Sequence, residues 1–290
     1  MFSSLGQAYR GGVAHTQDSF TGNHGTRIDY DVWTPDGDPV ALLVLAHGLG
    51  EHARRYDHVV ARLLDIGIVV YAPDHRGHGR SGGKRVELKE WRDFTDDLHR
   101  VFDIARAAHP GLPVYLLGHS MGGAMALDYA LDHQDDLAGL ILSGPAVDVT
   151  SGTPAIVVTL GKVLGKYLPG LPVENLDSNL VSRDPKVVAA YNADPLVHHG
   201  KVPAGIARGM ILNAESLPAR LPSLKLPLLL LHGEQDGLAK VDGSRMIAST
   251  AGTSDLTYKE YPGLYHEILN EPEQDEVIAD VTGWLTAHLS

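Results

Sequence analysis

Val114-Tyr-Leu-Leu-Gly-His-Ser-Met-Gly-Gly123 is the stretch that decides the reading of this chain. An apolar strand-like run feeds Gly118-His-Ser-Met-Gly122, and helix-like Ala124-Met-Ala-Leu-Asp-Tyr-Ala-Leu131 follows at once. This is G-x-S-x-G in a strand–turn–helix setting. There the serine sits on a sharp turn, and the flanking glycines allow close packing. A hydroxyl held above a sheet at a helix N-terminus is placed for nucleophilic attack. A second match, Gly79-Arg-Ser-Gly-Gly83, lacks that setting. The apolar run 67–73 ends well before it and polar Lys84-Arg85 follows, so Ser81 is read as a loop residue and Ser120 as the nucleophile.

Outward from this motif, strand-like runs alternate with helical patterns, which predicts a mostly parallel sheet flanked by helices. The predicted strands are 27–33, 40–46, 68–73, 114–117, 137–143, 227–232 and 256–261, and the predicted helices are 56–65, 91–109, 123–133, 241–249 and 274–288. Continuous apolar strands such as Ala41-Leu-Leu-Val-Leu-Ala46 imply burial on both faces. Residues 21–24 read as a turn leading to the first strand. The rhythm breaks between Pro145 and Pro222, where prolines recur and apolar pieces are short, as in Ile156–Leu168. The expected organisation is a core of residues 1–144 and 223–290 with a cap inserted at 145–222.

A serine hydroxyl needs a base, an acid to orient that base, and donors for the oxyanion. On this type of sheet the chain order is Ser, acid, His. Asp236 follows the buried run Leu226-Pro-Leu-Leu-Leu-Leu-His-Gly233 and is the expected acid, ahead of its neighbour Glu234 and of Asp148 after the preceding strand. His266, between the last strand and the last helix, is the expected base among 16 histidines. His119 flanks Ser120 too closely to turn back on it and reads as a packing or hydrogen-bonding residue. The oxyanion donors expected are the N–H groups of Met121 and, from His47-Gly-Leu-Gly50, of Leu49. Asp74, His75 and His78 could be read as metal ligands, but their turn is Gly-rich and no second cluster matches it. No metal is therefore expected. The glycines at 77, 79, 82 and 83 do not form a phosphate loop.

Composition narrows the function classes. With 290 residues, 43% hydrophobic and 21% charged, the chain suits one large domain. It has no cysteine, which excludes thiol catalysis and thiolate metal sites. A net charge of −12 argues against a nucleic-acid partner. Residues 1–21 lack a basic segment followed by an apolar one, and no run reaches membrane-spanning length, so a cytoplasmic or peripherally membrane-associated protein is expected. The oligomeric state is not legible.

The motifs His47-Gly-Leu-Gly-Glu-His52, Asp74-His-Arg-Gly-His-Gly-Arg-Ser81, Gly118–Gly123, Tyr191-Asn-Ala-Asp-Pro-Leu196 and Tyr261-Pro-Gly-Leu-Tyr-His266 together resemble the monoacylglycerol lipases of the α/β-hydrolase superfamily, in their bacterial, actinobacterial form. The resemblance runs from Thr21 onward and includes the cap. The 191–196 motif is its specific part. It implies cofactor-free hydrolysis of monoacylglycerol, or a similar small lipid ester, to glycerol and fatty acid. It also implies that Glu51 and Arg55, with Tyr191, belong to the substrate-binding residues at the glycerol end. Read from the residues alone, Glu51 and Arg55 could equally be solvated charges. Mammalian members carry a histidine at the position matching Leu269 and cysteines near the site; this chain has neither.

The cap has its own charge balance. Residues 151–220 hold seven Lys/Arg against five Asp/Glu, a net +2 that leaves −14 for the remainder. Its apolar runs 156–160 and 163–168 are interrupted by Lys162 and Lys166, which suits peripheral contact with an anionic bilayer.

Overall fold

Alternate residues of the central strands feed two different cores, which is why those strands are apolar throughout. Leu42, Val44 and Ala46 pack with Leu116, Leu228 and Leu230 on one face, while Leu43 and Leu45 pack with Leu117, Leu229 and Leu231 on the other. The computed structural model describes residues 14–289. The reading of residues 1–21 rests partly on residues 1–13, which lie outside the described residues.

The strands are β1 (Ala14–Thr21), β2 (Arg27–Thr34), β3 (Ala41–Ala46), β4 (Ile68–Pro73), β5 (Val114–His119), β6 (Gly139–Ser143), β7 (Pro172–Glu174), β8 (Val202–Pro203), β9 (Leu228–Gly233) and β10 (Leu256–Tyr261). The helices are α1 (Asp57–Leu64), α2 (Arg92–Ala108), α3 (Met121–His133), α4 (Ala155–Tyr167), α5 (Pro185–Ala193), α6 (Ala204–Arg220), α7 (Val241–Thr250) and α8 (Gln274–Ala287). Eight strands form one sheet in the order β1-β2-β4-β3-β5-β6-β9-β10. β2 runs antiparallel to β1 and β4, and the rest pair in parallel. Residues of α2 and α3 cover one face and those of α1 and α8 the other. This is the α/β-hydrolase fold expected from the sequence. Its parallel strands bring the loops after β3, β5, β6, β9 and β10 to one edge, where ligand sites form.

Two parts differ from the sequence reading. β1 was not anticipated: Ala-His-Thr-Gln-Asp-Ser-Phe-Thr is polar on both faces because the strand lies at the sheet edge. It is held by pairing with β2, by His15 stacked on Trp33 at 5.0 Å and by Phe20 against Tyr30. Between β8 and β9, α6 runs 17 residues and passes through Pro218 near its C-terminal end. That proline made the segment read as broken.

The segment between β6 and β9 is fastened unevenly. α4 packs on α6 and leaves Ile156 (74% exposed), Val157, Leu160, Val163 and Tyr167 (70%) facing outward. Residues 181–198 are instead bonded to the loops of the sheet edge. His198 N–H donates to Gly50 O (2.7 Å), His52 Nε2–H to Asp194 (2.8 Å), and Glu267 N–H to Val181 O (2.8 Å). No helix among the described residues is long and apolar enough to cross a membrane.

Candidate active site

β5 ends at His119, and α3 begins at Met121. Ser120, between them, has φ 56° and ψ −120°, a left-handed conformation that a non-glycine residue adopts only when its surroundings enforce it. What enforces it is close packing. A side chain at Gly122 would strike the carbonyl oxygens of Ala46 and His47, so only glycine lets α3 start this near β3. The turn lifts the Ser120 hydroxyl above the sheet edge, beside the N-terminus of α3.

The structure brings the three residues expected for the reaction into one chain of hydrogen bonds. Ser120 Oγ lies 2.8 Å from His266 Nε2, and His266 Nδ1 lies 2.7 Å from Asp236 Oδ2. With Nδ1–H donating to the carboxylate, Nε2 is left to accept the serine proton. Asp236 is fixed from both sides. Its Oδ1 accepts the N–H groups of Leu238 and Ala239, each at 2.8 Å, and its Oδ2 also lies 3.1 Å from His232 Nε2. Burial would raise the Asp236 pKa, but the adjoining His266 and His232 outweigh it and hold the carboxyl well below its usual range. Burial would lower His266, yet the Asp236 charge outweighs that and leaves the imidazole raised.

The other candidates have different surroundings. Glu234 is exposed. Asp148 lines the cavity and caps the Ser151 N–H at 3.1 Å. Ser81 is a buried loop residue whose hydroxyl donates to Asp74 O (2.6 Å) and accepts from Asp29 N–H (2.8 Å). His119 donates from Nδ1 to Ser143 O (3.0 Å), and burial pushes it down to about 3. Asp74 accepts from Ala53 N–H and from Arg80 at 2.7–2.9 Å. His75 Nε2–H donates to His47 O (3.1 Å) and His78 Nδ1–H to Arg76 O (2.9 Å), so both rings are held by loop backbone.

The loop that holds Gly48, Leu49 and Gly50 follows β3. Gly48 N–H donates to Glu51 Oε1 (2.5 Å), which curls the loop so that Leu49 faces the serine cavity. Among the described residues, no protein group accepts a hydrogen bond from the N–H of Leu49 or of Met121. Met121 is the first residue of α3, whose leading N–H groups have no partner within the helix.

Glu51 is the centre of a buried polar cluster. Its Oε1 also accepts the Tyr56 hydroxyl (2.7 Å), and its Oε2 accepts Arg55 Nη1 (2.7 Å). Arg55 forms a second, two-pronged pair with Glu267, at 2.6 and 2.7 Å, and its guanidinium lies 4.8 Å from the Tyr191 ring. Glu51, Glu267 and Tyr191 line the cavity, whereas Arg55 stands behind them. The sequence reading missed Glu267 and the second acid partner His232. Glu267 is 212 residues from the arginine it pairs with, and no local pattern signals such a contact.

The cavity has a volume of about 390 Å³, within the range of small-molecule sites. Ser120 and His266 open into it. Val202, Ala207, Met210 and Ile211 give it an apolar wall, and Glu51 and Glu267 a polar one.

The family described as "Serine aminopeptidase, S33" matches residues 37–273. A monoacylglycerol lipase of Mycolicibacterium smegmatis is 53% identical over 274 residues, covering 94% of this chain and 98% of that protein. The chain belongs to the monoacylglycerol lipase family of α/β-hydrolases. Another of its relatives, the human monoglyceride lipase, is 38% identical over 260 residues, covering 88% of this chain and 85% of that protein. The crystal structure of the Paleococcus ferrophilus monoacylglycerol lipase superimposes with a TM-score of 0.80 at 32% identity, covering 96% of this chain and 99% of that one.

Proposed function

We propose that this protein is a serine hydrolase that cleaves monoacylglycerol to glycerol and a free fatty acid through an acyl-enzyme. The observation that carries the reading is the Ser120–His266–Asp236 hydrogen-bond chain opening into a cavity with one apolar and one polar wall. Ser120 Oγ attacks the ester carbonyl carbon as His266 Nε2 takes its proton. The N–H groups of Leu49 and Met121 hold the carbonyl oxygen as it becomes an oxyanion. Asp236 keeps the imidazole in the required tautomer and stabilises its charge. His266 then passes the proton to the departing glycerol oxygen, which leaves Ser120 acylated. A water delivers its proton to His266 and attacks the acyl carbon, releasing the fatty acid and regenerating the serine.

The acyl chain lies along Val202, Ala207, Met210 and Ile211, where each methylene removed from water contributes about 0.8 kcal/mol. The glycerol end meets Glu51 and Tyr191, with Arg55 holding Glu51 from behind. Residues 145–222 act as a lid over the site, and residues 181–198 serve as its fastened part.

The outward face of α4 is read as a bilayer contact. Lys162 and Lys166 flank this face, but Lys162 is paired with Glu215 at 2.8 Å, so the apolar side chains carry most of the contact. A protein docked there meets its substrate in the membrane.

A broader carboxylesterase or lysophospholipase is the rival reading. The test is hydrolysis of a monoacylglycerol chain-length series, with diacylglycerol, triacylglycerol, lysophospholipid and an aminoacyl anilide as comparisons. The proposal requires the highest kcat/KM on monoacylglycerol. Preference for lysophospholipid, or for the anilide that the family description suggests, refutes it.

A further inference from the structure

Two carboxylates and one guanidinium form the polar wall, and they do not balance. Glu51 and Glu267 share Arg55, all three are almost fully buried, and the pairs at 2.6–2.7 Å leave one negative charge over. The acceptor capacity is also unspent. Glu267 Oε1 takes one hydrogen bond, from Arg55, and Glu51 Oε2 takes one, also from Arg55, whereas a carboxylate oxygen has two acceptor sites. Both oxygens belong to side chains that line the cavity. The wall lies next to the reacting serine: a β-carbon placed on Gly48 would be 2.8 Å from Glu51 Oε1 and 3.2 Å from Ser120 Cβ. What lines the cavity beside Ser120 is therefore a pair of carboxylates with spare acceptor capacity and a net negative charge, while Arg55 is not among the lining residues.

We infer that Glu267, by adding a second carboxylate to the Glu51–Arg55 pair, makes this wall a charge filter. It accepts esters of neutral or cationic alcohols and turns away esters whose alcohol carries a phosphate. A neutral polyol supplies hydroxyl donors to the spare oxygens. A phosphate supplies only acceptors and a like charge beside two carboxylates that are themselves buried. Without Glu267, Glu51 and Arg55 would cancel and the wall would be neutral. This inference rests on the proposed ester site and assigns it a substrate class.

The experiment compares kcat/KM for the hexanoyl esters of glycerol, choline and glycerol 3-phosphate, each below its critical micelle concentration. The wild type, Glu267→Gln and Glu51→Gln are assayed side by side. In the wild type the glycerol and choline esters must be hydrolysed at least ~10-fold better than the phosphate ester, the scale of one like charge about 10 Å away in a protein interior. In Glu267→Gln that preference falls by about tenfold, and Glu51→Gln, which neutralises the partner on a different loop, moves it in the same direction. A second readout separates charge from packing. His266 is faced by Asp236 from the loop after β9, by His119 from the end of β5, by Glu51 from the oxyanion loop with Arg55 behind it, and by Glu267. Removing the Glu267 charge shifts the acid limb of kcat/KM for the glycerol ester to lower pH, which a purely structural role would not do.

A wild type that hydrolyses the phosphate ester as well as the glycerol ester overturns the inference, as does a preference unchanged in both variants. A wild type inactive on the glycerol ester refutes the functional reading instead, and the filter is then judged on the choline and phosphate esters alone.

Discussion

Asp236→Asn is the substitution whose effect follows most directly from the geometry. Asp236 Oδ1 accepts two backbone N–H groups at 2.8 Å, from Leu238 and Ala239. An asparagine in this position must keep its carbonyl oxygen toward those donors, so its NH₂ faces His266 Nδ1 at the 2.7 Å position now held by Oδ2. Two donors cannot meet there. The imidazole is driven to the tautomer with its proton on Nε2, where it can no longer take the proton of Ser120. The imidazolium formed on attack also loses a contacting negative charge, a loss of about 4 kcal/mol at an effective dielectric of ~20. Together these give a fall in kcat of about 10³–10⁴, equivalent to about 4–5 kcal/mol of transition-state stabilisation. KM should move only a few-fold, because Asp236 does not touch the substrate. Steady-state hydrolysis of a monoacylglycerol, with the thermal midpoint measured on the same samples, checks this. The reasoning fails if Asp236→Asn keeps a tenth or more of wild-type kcat. It fails equally if Asp148→Asn or Glu234→Gln, rather than Asp236→Asn, abolishes turnover.

Three further outcomes are expected. Burial keeps His75 and His119 neutral down to about 3 and His78 down to about 4, and lowers His47 well below its ordinary value. Because these histidines bind protons only after unfolding, stability should fall as pH drops from about 6.5 towards 4, by up to ~1.4 kcal/mol per pH unit for each ring. Urea midpoints that stay level between pH 7 and 5 would contradict this. Ile156→Ser with Leu160→Ser should weaken co-sedimentation with anionic vesicles at least tenfold while leaving hydrolysis of a monomeric short-chain ester near wild type, since both side chains point away from the body; equal sedimentation of the variant would make α4 a lid wall only. Activity on the same neutral ester should fall on acidification through the raised pKa of His266, because the protonated ring cannot act as base. A kcat/KM profile without that acid limb would remove His266 from the role of base.

The sequence made the sheet edge legible because each of its parts carries a local signal. Continuous apolar runs place β3, β5 and β9 in the double-sided core, and the residues just beyond β5, β9 and β10 meet in one hydrogen-bond chain in the expected chain order. What stayed hidden depends on contacts between distant segments. β1 has no apolar alternation and stands on its pairing with β2. α6 keeps its helix through Pro218 although the local pattern reads as a break. The Arg55–Glu267 pair joins residues 212 apart, so Arg55 read as a surface charge or a glycerol contact, whereas the structure sets it behind the two carboxylates it neutralises in part. Lys162 read as a cation for lipid, and only the fold shows Glu215 beside it.

During turnover Ser120, and not Ser81, is expected to carry the acyl group. The most direct test of this is fluorophosphonate labelling followed by peptide mass spectrometry, with Ser120→Ala alongside. The account requires one phosphonate per chain, on the peptide holding Ser120, with no label on Ser120→Ala and complete loss of monoacylglycerol hydrolysis on labelling. A label on the peptide holding Ser81, or undiminished hydrolysis after full labelling of Ser120, would contradict it.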